Sequence, residues 1–87
     1  YNFSATTVSV VRAGISGGTS VAYSVYHDAA RNGSGTVIAA ETTTNATSGS
    51  TPTIISASVP AGSWIWVETT TVTGTVNEFN LSIEFTE

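Results

Sequence analysis

The sequence predicts an all-β protein: a single antiparallel β-sandwich, jelly-roll or immunoglobulin-like, with about six to seven short strands. Three observations lead there. Thr and Val dominate, whereas Leu occurs once and Lys, Gln and Met are absent. β-branched side chains suit a pleated surface and lose rotamer freedom in a helix. Apolar residues recur with a period of two, most clearly where Phe79, Leu81, Ile83 and Phe85 alternate with Asn80, Ser82, Glu84 and Thr86. Glycine and proline punctuate these runs, and no stretch carries the helical period.

The elements follow in order. An N-terminal strand is expected from Phe3 to Ala13, with Val8 and Val10 on one face and Val11 breaking the alternation, the mark of a bulge. Gly14 and the Gly17-Gly18 pair then separate it from TSVAYSVYH at 19–27. There Val21, Tyr23, Val25 and His27 share one face, and Ala22, Ser24 and Tyr26 the other. ARNGSG at 30–35 reads as a tight loop, with Asn32-Gly33 suited to positive φ. TVIAAET at 36–42 reads as a strand of small residues, and the polar stretch 43–52 as an exposed loop or edge. TIISASV at 53–59 would place Ile55, Ala57 and Val59 on one face. After the turn at Pro60-Ala61-Gly62 comes SWIWVETTT at 63–71, with Trp64, Trp66 and Glu68 opposite Ile65 and Val67. Gly74 is expected to close a hairpin from this strand to the last one.

The composition narrows the partners. The chain has 87 residues, one domain over residues 1–87, and only 9% of them are charged, against about 25% in an ordinary domain. Arg12 and Arg31 are the only basic residues, and the net charge is -4. Nucleic acid is excluded, because phosphates need a stripe of Lys or Arg. The basic route to an anionic membrane surface is missing too, and no apolar run approaches the length of a membrane span. With no cysteine there is no disulfide framework, zinc knuckle or thiol nucleophile. Ser and Thr fill 28 of 87 positions and replace charge as the solubilising groups. A domain this short buries only about 60% of its unfolded surface, and oligomerisation is a common remedy. Edge strands without Lys lack the usual guard against edge-to-edge pairing, so the edges are expected to be used by neighbouring subunits.

Catalysis finds little to work with. His27 and Asp28 are adjacent, but neighbours on a strand point to opposite faces, and no second histidine or calcium-type loop is present. Arg31 is expected to pair with Asp28 in a loop salt bridge, or with a neighbouring chain. Glu41, Glu68, Glu78, Glu84 and Glu87 read as scattered surface groups. Cross-strand pairing of Glu68 with Glu78 or Glu84 could set the spacing of a glycosidase pair, but a chain this short could hardly supply the cleft. No serine has a base beside it, and the Gly-rich turns lack the following helix of a phosphate cradle. The expectation is no catalytic residue, no cofactor and no metal. Trp64 and Trp66, with Tyr23 or Tyr26 nearby, are the feature able to recognise something: core, subunit interface or a stacking platform for a sugar. The triplets at Asn2, Asn32, Asn45 and Asn80 are glycosylation acceptors only in the right compartment.

Three segments carry a resemblance: VVRAGISGGTSVAYSVYH at 10–27, ARNGSGTVI at 30–38 and IISASVPAGSWIWVETTTVTG at 54–74. Together they are similar to a module of bacteriophage virion proteins, among them tail-fibre, head-fibre and capsid-decoration components. The turn from Arg12 to Thr19, the strand from Tyr23 to His27 and the run from Val59 to Glu68 carry the likeness. It implies a structural virion role outside the cell, as a homo-oligomer, often trimeric, attached to a capsid or tail protein and sometimes touching host-surface glycans. It supplies no functional residues. The leading expectation is therefore a non-enzymatic assembly subunit. The alternatives are a glycan-binding tip module using Trp64, Trp66 and Tyr26, and a pilin-like filament subunit that donates its N-terminal strand to a neighbour.

Overall fold

The computed structural model describes residues 1–46 and 48–86; Glu87, and Thr47 of the Asn45 triplet, lie outside the described residues. Among the described residues the β-branched runs form six strands: β1 (Thr6–Gly17), β2 (Ser20–Asp28), β3 (Thr36–Thr44), β4 (Ser58–Val59), β5 (Trp64–Thr73) and β6 (Val76–Thr86). They make two antiparallel three-stranded sheets, ordered β4-β1-β6 and β3-β2-β5, packed on each other as a small β-sandwich.

One folded ribbon generates both sheets. β1 pairs with β6 and β2 with β5, and the register runs on through the bend: Gly17 faces Val76 and Ser20 faces Thr73. Between them the Thr19 N–H donates to the Thr73 carbonyl at 2.9 Å. Residues 6–28 and 64–86 thus form one long antiparallel ribbon, creased at Gly17-Gly18 and Gly74. Gly18 and Gly74 hold φ at 71° and 80°, a region that costs an L-residue about 1–2 kcal/mol. A Cβ on Gly18 would also lie 2.5 Å from Val76 Cγ2. The hairpin expected at Gly74 is corrected here. Gly74 does link β5 to β6, but β5 is already paired with β2 and β6 with β1, so the turn crosses between sheets.

The inner faces build the core. Val8, Val11, Ala13 and Ile15 of β1 and Val21, Tyr23, Val25 and His27 of β2 are all buried, as the period of two requires. The irregularity at Val11 is a bulge: the β1–β6 register shifts between Val8 and Val10, which brings Val8 and Val11 to the same side. β1 runs past Gly14, whose partner is Asn80, so the strand begins and ends later than the 3–13 expected. β3 likewise continues to Thr44, with Thr43 buried, into what reads as loop.

The segment 48–57 seals one side of the sandwich. Ser50 exchanges two backbone hydrogen bonds with Ala13 of β1, and the N–H groups of Ile55 and Ser56 donate to the Ile38 carbonyl of β3. Of the expected strand 53–59 only Ser58 and Val59 form a ladder, with Thr7 and Thr6, because Ile55 and Ser56 bond to β3 instead; Ala57 adds one bond to β1, its carbonyl accepting from the Val8 N–H at 2.8 Å. Val59 is buried, but Ile55 is exposed, contrary to the shared face expected.

Candidate functional site

The aromatic end of β5 lies on the outer face of the β3-β2-β5 sheet. Cross-strand pairing sets Tyr26 opposite Trp66 and Asp28 opposite Trp64. The Tyr26 and Trp66 rings stack, with centroids 5.6 Å apart and planes 24° from parallel. The Arg31 Cζ stands 4.6 Å from the Trp66 centroid, a cation–π contact worth about 0.5–1 kcal/mol at a surface.

The loop at 29–35 delivers that arginine. Asp28 Oδ1 accepts from the Ala30 N–H at 2.9 Å, and Oδ2 from the Gly35 N–H at 3.1 Å. These two donors hold the Asp28 carboxyl below its usual pKa. The loop closes only because Gly33 and Gly35 lack side chains. A Cβ on Gly33 would clash with Asp28 Oδ2, and one on Gly35 would lie 2.9 Å from Trp66 Cζ2. The expected Asp28–Arg31 salt bridge is thereby corrected: the carboxylate binds its own loop backbone, and the guanidinium covers an indole.

The proposed sugar platform is divided. Trp66 is only 9% exposed, so its ring is not open for stacking. Trp64 shares the face but turns to Tyr1, edge-on at 5.0 Å, and Tyr1 in turn meets Phe3 at 4.9 Å. Tyr1, Phe3 and Trp64 are all exposed. Tyr26 thus joins Trp66 and not Trp64, and Tyr23 faces the core. His27 also faces inward, opposite Ile65, on the other side of the sheet from Asp28's partner Trp64.

Two features were missed in the sequence. Glu41 is no surface acid: Tyr23 Oη and Ser50 Oγ each donate to its Oε2 at 2.6 Å, and Ser50 Oγ lies 2.7 Å from Thr43 Oγ1. Its face, shared with the buried Ala39 and Thr43, was the available signal. Glu68, Glu78 and Glu84 do not pair either. Each lies opposite Ser24, Ser16 and Val10 respectively, because β5 and β6 belong to different sheets. Arg12 borders an open depression of about 280 Å³ with Ser48, Gly49, Asn80 and Ser82, and donates from Nη1 to the Ser48 carbonyl at 3.2 Å.

The second is an open side. The inner faces of β5 and β6 carry Ile65, Val67, Thr69 and Val72, and Phe79, Leu81, Ile83 and Phe85, opposite the buried residues of β2 and β1. Val67 is 38%, Val72 54% and Phe85 42% exposed, whereas Ile38, Ala39 and Thr43 at the opposite edge are all at 0%. Comparison with protein-family models, curated proteins and solved structures finds no match.

Proposed function

We propose that the chain is a non-enzymatic structural subunit of a virion, a capsid-decoration or fibre module that works outside the cell by packing into a larger oligomer. The observation that carries the assembly reading is the pair of free edges. β5 and β6, of ten and eleven residues, are edge strands, and neither contains Lys, Arg or Pro. Natural proteins guard such edges with those residues or with very short strands, as β4 does here with two residues. The bulges on β5 and β6 lie toward the crease, between the partners of Ala22 and Tyr23 and of Ser16 and Gly17, so 64–69 and 78–86 stay unbroken. The virion assignment rests on the likeness of the segments 10–27, 30–38 and 54–74. Light scattering on the purified chain tests assembly: self-association that grows with concentration is expected, and a folded monomer at every concentration contradicts it.

The exposed cluster of Tyr1, Phe3 and Trp64 favours a second reading, a glycan-binding tip module. A glycan array decides it: binding abolished by Trp64→Ala supports this reading, and an array with no binding removes it. Strand donation in the pilin manner has no comparable support. β1 is the central strand of its own sheet, paired on both sides.

A further inference from the structure

We infer that the open side of the sandwich is the contact between two copies of this chain, set mouth to mouth about a two-fold axis; this rests on the assembly reading above and names its partner. The sandwich is closed along β3 and the 48–57 crossing and open along β5 and β6. A buried core needs cover on both sides, and here one row of inward-facing side chains ends in solvent.

Three observations select a second copy as the cover. The first is the pair of edges. The open side presents two free strands at once, one from each sheet. A single foreign strand would pair one edge and leave the other bare. A second copy brings two edges at the same separation, and a two-fold operation pairs both and extends each sheet from three strands to six.

The second is area. Strands of ten and eleven residues rise about 3.3 Å per residue, so both free edges run roughly 33–36 Å on a molecule whose extents are 37, 25 and 18 Å. A side of that length and one of the shorter extents covers at most roughly 700 to 900 Å². A standard protein–protein interface takes about 800 Å² from each partner.

The third is charge. Glu68, Glu78 and Glu84 all lie on the outer faces, opposite Ser24, Ser16 and Val10. The lining is uncharged: Ile65, Val67 and Val72 from β5, and Leu81, Ile83 and Phe85 from β6. An uncharged lining suits its own copy despite the net charge of -4 per chain, and offers nothing to a strongly charged partner.

Val67→Lys and Val72→Lys test the inference, with Thr42→Lys on the outer face of β3 as control. All three positions are exposed or partly exposed in the single chain, and circular dichroism with thermal unfolding checks that each variant folds. Light scattering across concentrations then reads the mass. A dimer is expected for the parent and for Thr42→Lys, with Kd raised at least about tenfold by either lysine in β5. An oligomer unchanged by Val67→Lys and Val72→Lys overturns the inference and leaves the assembly reading standing. A trimer overturns the two-fold pairing. A monomer throughout overturns the inference and the assembly reading together.

Discussion

Tyr23 brings a hydroxyl into an apolar layer, and its partner lies directly across the sheet. Tyr23 faces Glu41 in the β2–β3 register, and the 2.6 Å hydrogen bond satisfies a buried phenol. Tyr23→Phe is expected to cost about 1.5–3 kcal/mol in urea denaturation, the range for a bond to a charged group. Burial, then the hydrogen bond and charge of Glu41, push the Tyr23 phenol well above its ordinary pKa of 10.0. The unfolded chain ionises this phenol near pH 10 and the folded chain does not. Stability is therefore full below pH 10 and falls as pH rises above it, and Tyr23→Phe should flatten that fall. Asp28 has the opposite sign. Its folded pKa lies below the ordinary 3.8, so its contribution is present above that pH and is lost on further acidification. A pH titration of stability checks both arms. The inward face of Tyr23 was legible from the alternation Val21-Tyr23-Val25. Its tie to Glu41 was not, because an isolated glutamate among Ala and Thr reads as solvation until the pairing register is known.

At the scale of elements, the crease is the decisive feature. Gly18→Ala is expected to destabilise by about 2 kcal/mol or more, combining the cost of positive φ with contact against Val76. Gly14→Ala is the internal control. Gly14 sits within β1, and its added Cβ would meet only Gly49 Cα at 3.6 Å. That change should be neutral or stabilise by about 0.5 kcal/mol, since glycine in a strand interior costs about that much against alanine. Denaturation midpoints of the two variants measure the contrast. The glycines at 17, 18 and 74 were readable as bends, and the strands on either side as strands. What local signals could not decide is whether a bend returns the chain to the same sheet or sends it to the other. The pairing of β5 with β2 and of β6 with β1 decides it, over long sequence separation. The segment 53–59 failed for a related reason. Its Ile-Ile-Ser-Ala-Ser-Val pattern suits a strand, but Ile55 and Ser56 are drawn to the Ile38 carbonyl, and the crossing leaves only two residues to pair.

For the whole molecule, composition foretold the fold class and the scarcity of charge. It did not foretell which edges stay open. Nothing in the composition of β3 or β5 marks one edge for cover, and the crossing at 48–57 makes one side closed and the other bare. An 87-residue chain with one side of its core uncovered gains stability from anything that binds only the folded form, and self-association does so in proportion to concentration. Two copies meeting along β5 and β6 would cover both free edges, and amide hydrogen exchange, followed residue by residue at low and high protein concentration, measures that cover. Outward-pointing N–H groups of β5 and β6 are expected to gain protection as concentration rises, while those on the outer edge of β3 do not. Exchange rates on β5 and β6 that ignore concentration, or protection that appears on β3 instead, would contradict it.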